Sequence, residues 1–86
     1  MIERFDWTDH AERRLRERDF ERINVEMAIR LGHDGRSRND GPADWLVLGQ
    51  RMTSISFVVI YDHPVDEDLN RVRVVSVWDL EERGTS

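Results

Sequence analysis

The chain has 86 residues and a net charge of −5; it contains no cysteine, and all thirteen of its basic residues are arginine. A chain this short builds one core and no second. The missing cysteines exclude a disulfide framework and a thiolate zinc site, and the acidic balance argues against a general nucleic-acid coat protein. The charge is uneven: residues 1–38 hold nine arginines and nine acids, whereas residues 39–86 hold four arginines and nine acids. A local basic patch on the first half is compatible with that split.

The N-terminal stretch MIERFDWTDH is acidic and aromatic, so it does not read as a signal peptide. Phe5 and Trp7 in it form a short lead-in packed on the core. Thr8 or Asp9 can N-cap a first helix running to about Arg18. Its only clear apolar positions are Ala11 and Leu15, spaced i,i+4. The chain turns at FERI, and Asn24 is a good N-cap for a second helix, VEMAIRL, with Gly32 expected at its left-handed C′ position. Val25, Ala28, Ile29 and Leu31 are its core candidates. GHDGRSRNDGPAD is a turn-rich connector, part of which, near Arg36–Arg38, can pair as an edge strand.

Three strands follow: DWLVLG, SISFVVIYD and RVRVVSVWD. Their links are QRMT and the acidic HPVDEDLN, short enough for antiparallel hairpins. The fold class predicted is α+β: two N-terminal helices packed on an antiparallel, three- to four-stranded meander. In the second strand Ile55, Phe57, Val59 and Tyr61 share an apolar face. The other face of the sheet is expected to keep Val58, Ile60, Val75 and Val77, and so to need cover or a partner, a homodimer included. Residues 1–80 read as one domain and 81–86 as a frayed tail. The longest apolar run, FVVIY, is too short to span a bilayer; a cytoplasmic setting without membrane contact is the expectation.

The stretch HAERRLRER carries the one constellation with chemical content. At a hundred degrees per residue, His10, Arg14, Glu17 and Arg18 share a sector beside Ala11 and Leu15. His10, Arg14 and Arg18 then line the border where helix meets sheet. One reading is a solvated ladder of i,i+4 ion pairs, Asp9–Arg13 and Glu12–Arg16, with no function beyond solubility. The other is a site. A neutral imidazole in a first helical turn can take a proton, and two guanidinium groups can grip a phosphate. Metal-independent RNA cleavage needs a base, a cation for the phosphoryl charge and an acid for the leaving oxygen. In that reading His10, Arg14 and Arg18 are the catalytic candidates. Tyr61, Arg71, Arg73 and Trp78 on the sheet are the substrate-binding candidates. No metal-ligand spacing, phosphate loop or serine elbow is present, so neither a metal nor a cofactor is expected. His33-Asp34 and Asp62-His63 read as turn residues.

The series HAERRLRER, INVEMAIRLG, WLVLG, SFVVIYD and VRVVSVWD resembles the small bacterial family catalogued as domain of unknown function 4258, from about Thr8 to Asp79. His10-Ala11, Arg14, Glu17-Arg18 and Leu46-Val47-Leu48-Gly49 match its motifs. The turn after the first helix usually carries a glycine in that family; here it reads RDFERI. The order of elements is also similar to RelE-like and BrnT-like toxins, which cleave RNA without a metal and are neutralised by an antitoxin. The resemblance implies an α+β fold, and it places His10, Arg14 and Arg18 in the family's polar motif. The function expected is therefore a toxin-like endoribonuclease with RNA and an antitoxin as partners. The alternative is a non-catalytic interaction module working through a sheet face, and a third reading is an inhibitory nucleic-acid mimic using the acidic Asp62–Asp68 loop.

Overall fold

A computed structural model of the chain describes residues 2–51 and 55–80. The expected frayed tail and the Met52-Thr53 half of the QRMT link lie outside those residues. Strand β1 (Arg4–Trp7) leads into helices α1 (Asp9–Arg18) and α2 (Arg22–Gly32). A single 3-10 turn at His33–Gly35 follows, then β2 (Ser37–Arg38), β3 (Trp45–Arg51), β4 (Ile55–Asp62) and β5 (Arg71–Asp79). The strands form one five-stranded sheet in the order β1-β5-β4-β3-β2, with both helices on one face.

The α+β class and the helices-on-sheet arrangement agree with the sequence reading; the pure meander of three or four strands does not. The lead-in residues make a fifth strand, and it runs parallel to β5, pairing Phe5 with Val72 and Trp7 with Val74. A strand of four residues is held there by partners at the far end of the chain, so no local turn signal announces it. Phe5 and Trp7 face the helices, and α2 covers them with arginine: Arg30 lies 5.0 Å over Phe5 and Arg22 5.2 Å over Trp7.

α1 begins as its sequence predicts. Thr8 is extended, and its hydroxyl accepts the Ala11 amide at 3.0 Å. The helix ends at Asp19, which takes the left-handed conformation (φ 57°) and returns its amide to the Leu15 carbonyl. That is the work a C′ glycine does elsewhere. α2 starts at Arg22, before Asn24, and Asn24 is helical. Gly32 is not left-handed (φ −99°); it ends α2 where a Cβ would come within 3.3 Å of Val47, so it serves close packing. Leu31, expected inside, is 79% exposed. Gly49 has the sharper requirement. A Cβ there would lie 2.8 Å from Ala28 Cβ and 2.4 Å from the Phe57 ring, so glycine lets α2 cross β3 in contact.

The core between helices and sheet contains Ala11, Leu15, Phe20, Val25, Ile29, Phe57, Val59, Tyr61, Val72, Val74 and Val77. The apolar face foreseen for β4 is there. β5 breaks its alternation: Tyr61 pairs with Val74 but Ile60 pairs with Ser76, which leaves Val75 as an extra residue. The bulge sends Val77 to the helix side, and puts Ser76 and Trp78 on the outer face beside Ile60 and Val58. The outer face is therefore not the bare apolar surface that simple alternation predicts. Val58 and Ile60 are fully or almost fully buried with Ala43, flanked by Leu46, Val75 and Trp78.

Candidate functional site

The bulge also decides what α1 meets. β1 covers the outer edge of β5 only as far as Val74, where the Thr8 amide donates to the Val74 carbonyl. Beyond that point side chains of α1 take over. The Thr8 hydroxyl donates to the Val75 carbonyl at 3.1 Å, and Arg14 Nε donates to the Val77 carbonyl at 3.2 Å. Between them His10 Nε2 lies 3.1 Å from the Ser76 hydroxyl. The polar motif thus runs along the strand edge and satisfies two carbonyls that a sixth strand would otherwise take. Arg14 sits 3.7 Å from Glu17, and Arg18 is half-buried one turn on.

His10 remains largely exposed, and it opens onto a groove of about 510 Å³ on the outer face, lined by Thr8, His10, Pro42, Ile60, Val75, Ser76 and Trp78. Pro42, Ile60 and Trp78 also line an adjoining hollow of about 350 Å³ that continues to Arg38, Asn39 and Asp40. The outer-face track therefore runs from the His10 imidazole over the Trp78 indole toward the connector. Arg38 is exposed and its guanidinium stacks 4.8 Å from the Trp45 ring.

The seven residues singled out from sequence do not form one site. His10 and Trp78 share the groove. Arg14 and Arg18 lie on the seam and do not line it. Arg73 is exposed beyond the bulge, while Arg71 is tied to Asp6 at 2.7 Å and Asp66 at 3.2 Å, contacts that raise its pKa. Tyr61 is fully buried on the helix side, so it is a core residue and offers no stacking surface.

What sequence reasoning missed is the company Tyr61 keeps. Its hydroxyl lies 2.8 Å from His33 Nδ1. Arg36 NH1 lies 3.1 Å from His33 Nε2 and donates to the His33 carbonyl at 3.0 Å. A guanidinium can only donate, so Nε2 is the acceptor, Nδ1 carries the proton, and His33 is neutral. Burial, then Arg36 and His63, hold its pKa below the ordinary value. Burial pushes Tyr61 up to about 12. His63 packs edge-on to His33 at 4.5 Å, and its Nε2 contacts the Leu69 carbonyl at 2.8 Å. Trp45 Nε1 donates to the His63 carbonyl at 3.2 Å, and Arg36 lies 4.0 Å over the Trp45 ring. Both ring nitrogens of His33 are engaged, Arg36 Nε is buried without a hydrogen-bond partner among the described residues, and the cluster locks the β4–β5 loop to the end of α2. Three separate segments build it, so no spacing in the sequence signals it. Among the described residues no group of three or more His, Cys, Asp or Glu side chains is placed to hold a metal ion, and no helix is long and apolar enough to cross a membrane.

The profile of the family described as "Domain of unknown function (DUF4258)" matches residues 7–79, and the chain belongs to that family. The match takes in both helices, all of β2–β5 and the seam motif. No curated protein matches the chain, and no solved structure matches it.

Proposed function

We propose that the chain is a toxin-like, metal-independent endoribonuclease that acts on single-stranded RNA and is neutralised by an antitoxin. The observation that carries this reading is the outer-face groove that brings His10 and Trp78 together. The order of the elements, a strand and two helices followed by antiparallel hairpins, is in keeping with the resemblance to RelE-like and BrnT-like toxins. In this reading a base stacks on Trp78 and a neighbouring phosphate meets Arg73, which is exposed on the same face. His10 Nε2 exchanges its Ser76 contact for the ribose 2′-hydroxyl and takes its proton. The 2′-oxygen bonds to phosphorus as the bond to the 5′-oxygen breaks, and the departing 5′-oxygen takes a proton from solvent water. The products are a 2′,3′-cyclic phosphate and a 5′-hydroxyl. Arg14, through the Val77 carbonyl, positions α1 and hence His10, and with Arg18 it keeps positive charge along the seam.

The test is incubation of the purified chain with single-stranded RNA, alone and on ribosomes, in EDTA. Cleavage with cyclic phosphate ends is expected, and Arg14→Ala should lower the melting temperature together with the rate. No cleavage of any RNA would overturn the proposal. It would leave the second reading, a non-catalytic interaction module. That reading is favoured by the His10 end of the groove, where Pro42, Ile60, Val75 and Trp78 make most of the wall.

A further inference from the structure

A run of exposed apolar side chains lies away from that groove. On α2, Ile23, Met27 and Leu31 follow one another at i, i+4 and i+8 and are 53%, 43% and 79% exposed; Leu48 on β3 is 58% exposed. They belong to the edge of the sheet that β2 only begins to cover. β2 pairs with Trp45 and Leu46 alone, and among the described residues Val47–Arg51 pair only with β4. The Asp44 carbonyl accepts from Asn39, so the alternation of the strand turns the main-chain groups of Leu48 and Gln50 toward the same open edge. A hollow of about 500 Å³ joins this edge to α2, between Met27 and Leu31 on one side and Leu48 and Gln50 on the other.

We infer that the open edge of β3 and the apolar stripe of α2 form a two-fold interface between two copies of this chain. Three features select a second copy as the occupant. First, the hollow is lined by Asn24, Met27, Ala28, Leu31, Leu48, Gly49, Gln50 and Ser56, none of them charged. A chain of net charge −5 can therefore bring this face against itself without placing like charges opposite each other, which most of its surface would do. Second, a strand edge is self-complementary: two copies of β3 related by a two-fold axis run antiparallel and exchange the hydrogen bonds of Leu48 and Gln50. Leu48 and Gln50 bring none of the lysine, proline or bulge that usually blunts an open edge. Third, the α2 stripe and Leu48, on the two faces flanking the edge, together leave roughly 400 Å² of apolar surface per copy, about the size of the largest patch on a typical monomer, which is often functional. It is about half of what one partner of a standard interface covers, and paired main chain supplies further contact.

The experiment is sedimentation equilibrium of the full chain over a concentration series reaching about 200 µM, a range that detects even weak pairing. It is run beside Leu31→Glu and Leu48→Glu. Both positions are exposed, so the variants should fold, and circular dichroism melting checks this. The result expected is twice the 10.2 kDa chain mass for the wild type. Each variant should show a dissociation constant at least about tenfold higher. Hydrogen exchange at the Leu48 and Gln50 amides should slow with rising wild-type concentration. A wild-type monomer throughout the series would overturn the inference. So would a dimer that neither variant weakens, and so would a monomer that uses Leu31 and Leu48 to bind a different protein.

Discussion

His10 and His33 occupy opposite chemical situations. His33 has both ring nitrogens committed, one to Tyr61 and one to Arg36, and its pKa is held down by burial and neighbouring cations. His10 is exposed at the start of α1, with its Nε2 on a serine hydroxyl at the end of a groove. A histidine whose partners are complete holds a structure together. One with a single exchangeable contact beside a concave surface can meet a substrate. The larger cluster of titratable groups is thus the scaffold, and the sparser one is the candidate site.

The contrast is broken most directly by exchanging the two losses. His10→Ala is expected to reduce RNA cleavage by about 10²–10⁴-fold, the usual worth of a positioned acid or base, while the melting temperature stays near the wild-type value. His33→Ala is expected to do the reverse. It strips the Tyr61 hydroxyl and Arg36 of a half-buried partner and should cost about 1–3 kcal/mol of folding free energy, with cleavage per folded molecule unchanged. Urea unfolding and single-turnover cleavage measured on both variants check the pair.

Proton linkage sharpens it. Because the folded pKa of His33 lies below its unfolded value, the unfolded chain binds more protons in the window beneath about pH 6.5. Stability should therefore fall as the pH drops from 7 to 5. His33→Ala should flatten that slope. At the alkaline end the sign is opposite. Tyr61 is the only tyrosine, and its folded pKa is raised to about 12. The unfolded phenol ionises from about pH 10, so stability is lost as the pH rises through that window. A native absorbance titration near 295 nm reads this group alone. The smallest effect expected is that of Tyr61→Phe, which removes one hydrogen bond at about 0.5–1.5 kcal/mol and abolishes the alkaline dependence.

What the sequence makes legible, and what it hides, follows from how far apart the interacting residues lie. β3, β4 and β5 declare themselves through local alternation and short links, and Thr8 through its capping position. β1 does not, because its pairing is parallel and joins the two ends of the chain. The bulge at Val75 is silent as well: a run of valines around Ser76 satisfies either face, and only pairing with Ile60 and Tyr61 chooses. For the site, helical spacing correctly placed His10 and Arg14 against the sheet. It could not show that Arg14 would be bonded to a β5 carbonyl, or that Pro42, from the connector, would line the groove beside His10. Tyr61 was misplaced because β-strand alternation tells which face is apolar but not that the phenol would be closed over by His33.

The most direct measurement is a nuclear magnetic resonance titration of the ¹⁵N-labelled chain with a short, non-cleavable 2′-deoxy-substituted oligoribonucleotide. Saturable shifts concentrated at His10, Ser76 and Trp78 are the predicted result. Shifts confined to the His33–His63 cluster, or none at any concentration, would contradict the assignment of the outer-face groove as the RNA site.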